Sequence, residues 1–85
     1  MTPEEAILEM LTERGVGKTI CPSEAARRMD PENWRDQMDR IRAAGIRMAA
    51  ADIIEVTQQG VPISAGDAKG PIRYRLRSDD HRLPD

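Results

Sequence analysis

Arg73, Arg75 and Arg77 alternate with Ile72, Tyr74 and Leu76 near the end of the chain. Period two puts the arginines on one face of a strand and the apolar residues on the other. A row of guanidiniums suits phosphate, which each can hold through paired N–H groups. Lys69 lies just upstream. A sheet edge kept soluble by charge produces the same pattern, with Glu55 pairing one arginine across the strands. The residues alone leave both readings open.

A second constellation lies mid-chain, where helical spacing puts Arg35, Asp39, Arg42, Ala43, Ile46 and Arg47 on one outer face. On a helix entering a DNA major groove, Arg42 and Arg47 suit guanine edges and Ile46 suits a thymine methyl. Asp36 and Asp39 oppose this, because phosphates repel them. An exposed Ile46 among charges equally suits contact with a protein. Arg35 with Asp39, and Asp36 with Arg40, are spaced to pair along the helix.

Other motifs point to little chemistry. Gly17-Lys18-Thr19 echoes a phosphate-binding loop, but Thr12 stands where its first glycine belongs, and a helix precedes it where a strand is required. Cys21 sits at a helix start, yet the only histidine is His81, near the end of the chain, so no base is at hand. One Cys and one His do not make a usual zinc site. The expectation is a non-enzymatic protein with no catalytic, cofactor-binding or metal-binding residues.

These side chains need elements to position them. Thr2-Pro3, Cys21-Pro22 and Asp30-Pro31 repeat one helix-start phrase, in which proline takes the first helical position. After the first two, Glu5 and Glu24 are placed to reach back to the cap N–H. The spacing predicts helix one over 3–14, helix two over 22–29, and helix three from about Pro31 to about Ala51. Trp34, Met38, Ile41, Gly45 and Met48 form the buried stripe of helix three, with Trp34 as the expected core anchor and Gly45 permitting a close neighbour. Strands are expected at 18–20, 53–57 and 72–77. The stretch 58–70, with Gly60, Pro62, Gly66 and Gly70, reads as a long wing loop.

With 85 residues, one domain is expected, 1–77, followed by a polar, disordered tail, 78–85. The net charge is −2, and Trp34 and Tyr74 are the only aromatics. The single cysteine suits a reducing cytosol, and no apolar run is long enough for a membrane span. The expected setting is cytoplasmic, away from membranes. The sequence leaves oligomeric state open.

The run Gly17-Lys18-Thr19-Ile20-Cys21-Pro22-Ser23-Glu24, followed by Ala25-Ala26-Arg27, resembles a family of small bacterial winged-helix domains of unknown function. Trp34-Arg35, Ile54-Glu55-Val56-Thr57-Gln58 and Gly70-Pro71-Ile72-Arg73 continue the likeness in order, from about Ile7 to Arg77. Asp52 stands where the family's glycine is expected. The resemblance implies a fold and no activity.

The expected fold is therefore α+β: a winged helix-turn-helix of three helices and a small antiparallel sheet of two or three strands with a long wing loop. Two functions fit. One is a DNA-binding or accessory transcriptional module that contacts duplex DNA through helix three (Arg35, Arg42, Arg47) and the wing (Lys69, Arg73, Arg75, Arg77). The other is a protein-protein interaction module with Ile46 and the wing as contact surface. Fold precedent favours the first, and net acidity the second.

Overall fold

The computed structural model describes residues 1–64 and 70–77. Its elements run α1 (Pro3–Arg14), β1 (Thr19–Ile20), α2 (Pro22–Met29), a 3-10 turn (Trp34–Gln37), α3 (Met38–Ala50), β2 (Ile54–Gln58), β3 (Val61–Ile63) and β4 (Arg73–Leu76). Three helices and a four-stranded antiparallel sheet make an α+β domain compatible with a winged-helix layout.

Two of the helix starts form as the sequence predicts. Thr2 Oγ1 accepts from the Glu5 N–H at 3.1 Å, and the Glu5 carboxylate accepts from the Thr2 N–H at 2.8 Å. The Glu24 carboxylate accepts from the Cys21 N–H at 2.8 Å. The third start differs. No carboxylate stands three residues beyond Asp30, because that residue is Asn33. Asp30 Oδ1 instead accepts from the Asn33 N–H at 3.0 Å, a side-chain turn that competes with helix. The chain bends over 31–33 and makes one 3-10 turn, so α3 begins only at Met38.

The helix-three exit is made by Asp52 in left-handed geometry, φ 63°. Aspartate tolerates this region better than most side chains, so it stands in for the glycine expected there.

The sheet order is β1-β4-β2-β3. It has one more strand than expected, because part of the predicted loop is a hairpin. Gln59 and Gly60 both adopt positive φ, 53° and 82°, in the two-residue turn that matches strand twist. β3 therefore folds back on β2, pairing Val61 with Gln58 and Ile63 with Val56. Lys69 and the predicted tail, 78–85, lie outside the described residues.

The core joins Ala6, Ile7 and Leu11 of α1, Ala25 and Ala26 of α2, and Ile41, Ala44 and Met48 of α3 to Ile20, Ile54, Val56 and Tyr74 of the sheet. Its largest fully buried side chain is Tyr74, at 1% exposure. Trp34 is not the core anchor; it is half-buried at the margin, because the 3-10 turn that carries it lies outside the α3 stripe. Gly45 does admit a close neighbour. A Cβ there would lie 2.5 Å from the Tyr74 hydroxyl oxygen and 2.6 Å from Cζ. That hydroxyl has no hydrogen-bond partner among the described residues, and burial pushes the Tyr74 pKa up to about 12. Among the described residues, no helix is long and apolar enough to cross a membrane.

Candidate functional site

The sheet arginines are each tied to a partner. Strand pairing sets Glu55 opposite Arg75, whose Nε and Nη2 donate to Glu55 Oε1 at 3.0 and 2.6 Å. This is the cross-strand pair expected from sequence. Arg73 donates to Thr19 Oγ1 at 2.6 Å and to the Thr19 carbonyl at 3.3 Å, with Glu24 4.0 Å away. Arg77 donates to Asp52 Oδ1 at 3.0 Å, a carboxylate offered by the left-handed helix exit.

The same holds around α1. Arg47, one of the residues nominated from helix three, donates twice to Glu4 Oε2 at 3.0 and 2.6 Å. That guanidinium holds the Glu4 carboxyl below its ordinary range. Arg28 grips Glu13 through both Nη atoms at 2.7 and 2.8 Å, which lowers the Glu13 pKa. Arg14 reaches Glu24 at 2.6 Å. Burial pushes the Glu24 carboxyl up, but Arg14 and the Cys21 N–H outweigh it, and the net shift is downward.

Four arginines of the α2–α3 unit, Arg27, Arg35, Arg40 and Arg42, are placed differently. The expected Arg35–Asp39 and Asp36–Arg40 pairs do not form among the described residues, because residues 34–37 are 3-10 and break α-helical spacing. Arg35 and Arg27 each lie over the Trp34 ring, both 4.4 Å from its centroid. Arg40 donates to Gln37 Oε1 at 2.9 Å. Arg42 is exposed, and among the described residues no hydrogen bond or ion pair engages it. Asp36 and Asp39 share this surface and are exposed as well.

An apolar groove of about 420 Å³ lies between α3 and the β2–β3 hairpin, and Arg42 stands one helical turn before its lining residue Ile46. Ile46, Ala49 and Ala50 of α3 line one side, and Ile54 and Val56 of β2 with Pro62 and Ile63 of β3 line the other. Glu55, Ser64 and Arg77 complete the lining. Ile46 is 48% exposed at its edge. Strand register explains the groove: Ile20, Tyr74, Val56 and Ile63 form one row across the core face of the sheet. The first three are buried under the helices, whereas Ile63 at the outer strand is only partly covered.

Sequence reasoning singled out Ile46 and missed its apolar neighbours on β3, which it assigned to a loop. The signal was present in Val61-Pro62-Ile63 following Gln59-Gly60, an apolar run after a turn dipeptide. Cys21 is half-buried with Sγ 3.0 Å from Ser23 Oγ. Among the described residues, no group of three or more His, Cys, Asp or Glu is arranged to hold a metal ion.

A protein-family model described as "protein of unknown function (DUF3253)" matches residues 2–77. No curated protein matches the chain.

Proposed function

We propose that this chain, which belongs to the DUF3253 family of unknown function, is a non-enzymatic protein-interaction module whose contact surface centres on Ile46. The observation that carries this reading is the groove between α3 and the β2–β3 hairpin, with Ile46 exposed at its edge. Interfaces place an apolar centre within a polar rim, as here. The internal pairing of Arg47, Arg73, Arg75 and Arg77 supports it further, since those guanidiniums must leave carboxylates or a hydroxyl before holding phosphate. The single cysteine is in keeping with a cytoplasmic setting. A photoreactive side chain at position 46 should trap a discrete partner protein in cell extract, and the same group at exposed Thr12 should not. Equal, diffuse labelling from both positions contradicts the reading.

Duplex DNA is the second reading, and one observation favours it. The described arginines outside ion pairs, Arg27, Arg35, Arg40 and Arg42, all lie on the α2–α3 unit, the part a helix-turn-helix presents to a major groove. In that case Arg42→Ala shifts preference among sequences, and Arg73→Glu with Arg75→Glu flattens the salt dependence. Fluorescence anisotropy with mixed duplexes at low salt decides between the readings: the interaction-module reading expects no binding.

A further inference from the structure

We infer that the partner seated in the α3–hairpin groove is an amphipathic helix that places an apolar side chain against Ile46 and a carboxylate against Arg42. This deepens the interaction-module reading and rests on it.

The sheet edge speaks against an added strand. Gln58 and Val61 pair across the two-residue turn, so the backbone polar groups of Val61 and Ile63 face β2. Those of Pro62 face the free edge, where proline has no N–H to offer. β3 spans only Val61–Ile63, so its one outward donor is missing. The opposite wall of the groove is a helix, and Arg42, Ile46 and Ala50 fall at four-residue spacing into one ridge along it. Ridges of this kind receive another helix, which reads as apolar anchors one turn apart.

Charge selects the partner's polar residue. At the groove, Arg77 engages Asp52 and Arg75 engages Glu55. Asp39 lies one turn before Arg42, farther from Ile46. Arg42, one turn from Ile46 on α3, is left as a cation without a carboxylate partner among the described residues.

The test uses two synthetic Ala-based helical peptides with leucines along one face. They differ only in bearing Glu or Lys next to that face, and each is titrated into the whole protein by two-dimensional NMR. The Glu peptide should bind roughly two- to fivefold tighter, the range of an exposed ion pair. Its shifts should map to Ile46, Ala50 and Ile63. Arg42→Gln should erase the preference, and Ile46→Glu should abolish binding by both peptides; an unchanged thermal melt of each variant shows that the fold is intact. Equal binding of the twins in the groove overturns the acidic partner and leaves the interaction surface standing. Failure of both peptides at millimolar concentration, or shifts elsewhere, overturns both. Concentration-dependent association of the protein alone, lost on Ile46→Glu, means that a second copy fills the groove and overturns this inference.

Discussion

The chain's two aromatic residues each sit among arginines, with opposite results. Tyr74 is buried in β4, and its neighbours Arg73 and Arg75 turn to the far face and bind Thr19 and Glu55. Trp34 is half-buried in the 3-10 turn, and Arg27 and Arg35 lie over its ring without a carboxylate. Strand pairing makes the difference. It fixes which residues oppose one another, so a carboxylate at the matching position is held at bonding distance. The 3-10 turn offers no such register, and the guanidiniums of its own Arg35 and of Arg27 from α2 find an aromatic face. Arginine count is therefore a poor guide to where a charged ligand would bind.

The largest expected effects test the aromatic half of the contrast. Tyr74→Ala should cost about 3–5 kcal/mol, enough to unfold a small domain. Trp34→Ala should cost about 1–2 kcal/mol, since it loses marginal packing and two cation–π contacts. Denaturant melts giving equal losses would break the distinction. Gly45→Ala tests the packing around Tyr74 from the helix side. Its new methyl would enter the Tyr74 ring, so overpacking of about 1–3 kcal/mol should exceed any helix-propensity gain. Tyr74→Phe should instead be neutral or slightly stabilising by thermal melt, because it removes a buried hydroxyl with no partner among the described residues.

The arginine half carries smaller effects. Glu55→Gln should cost about 0.5–1 kcal/mol by denaturant melt, as Glu55 and Arg75 are both mostly shielded. Glu4, Glu13 and Glu24 titrate below their ordinary values when folded. A depressed folded pKa gives stability that is present above the unfolded pKa and lost as pH falls through the folded one. Melting temperature should thus decline from about pH 5 downward. Arg47→Ala should move the Glu4 titration upward toward its ordinary value in a carboxyl-resolved NMR experiment and leave Glu24 unmoved.

Local signals in the sequence proved legible. The bounds of α1 and α2 follow from Thr2-Pro3-Glu4-Glu5 and Cys21-Pro22-Ser23-Glu24, because a cap needs only nearby groups. The alternation of β4 and the close approach at Gly45 were readable for the same reason. Asp30-Pro31 misled because the phrase looked alike while Asn33 lacked the returning carboxylate. Trp34 misled because size was taken for burial. Tyr74, at the centre of an alternating strand, was the better candidate. Of the candidate site, Ile46 and the Arg75–Glu55 pair were visible. The Arg73–Thr19 and Arg47–Glu4 contacts span 54 and 43 positions, and no local pattern encodes them.

The central claim is that Arg47 and the sheet arginines are occupied within the fold, whereas Arg27, Arg35 and Arg42 of the α2–α3 unit are not bound to carboxylates. The most direct measurement is an NMR spectrum of the arginine Nε–H groups. Arg47, Arg73 and Arg75 donate through Nε to Glu4, Thr19 and Glu55. Their signals should exchange slowly with water and show rigid relaxation, whereas Arg27, Arg35 and Arg42 should exchange rapidly. Uniformly fast exchange for all six would contradict the account and return the sheet arginines to the list of surfaces free to meet a ligand.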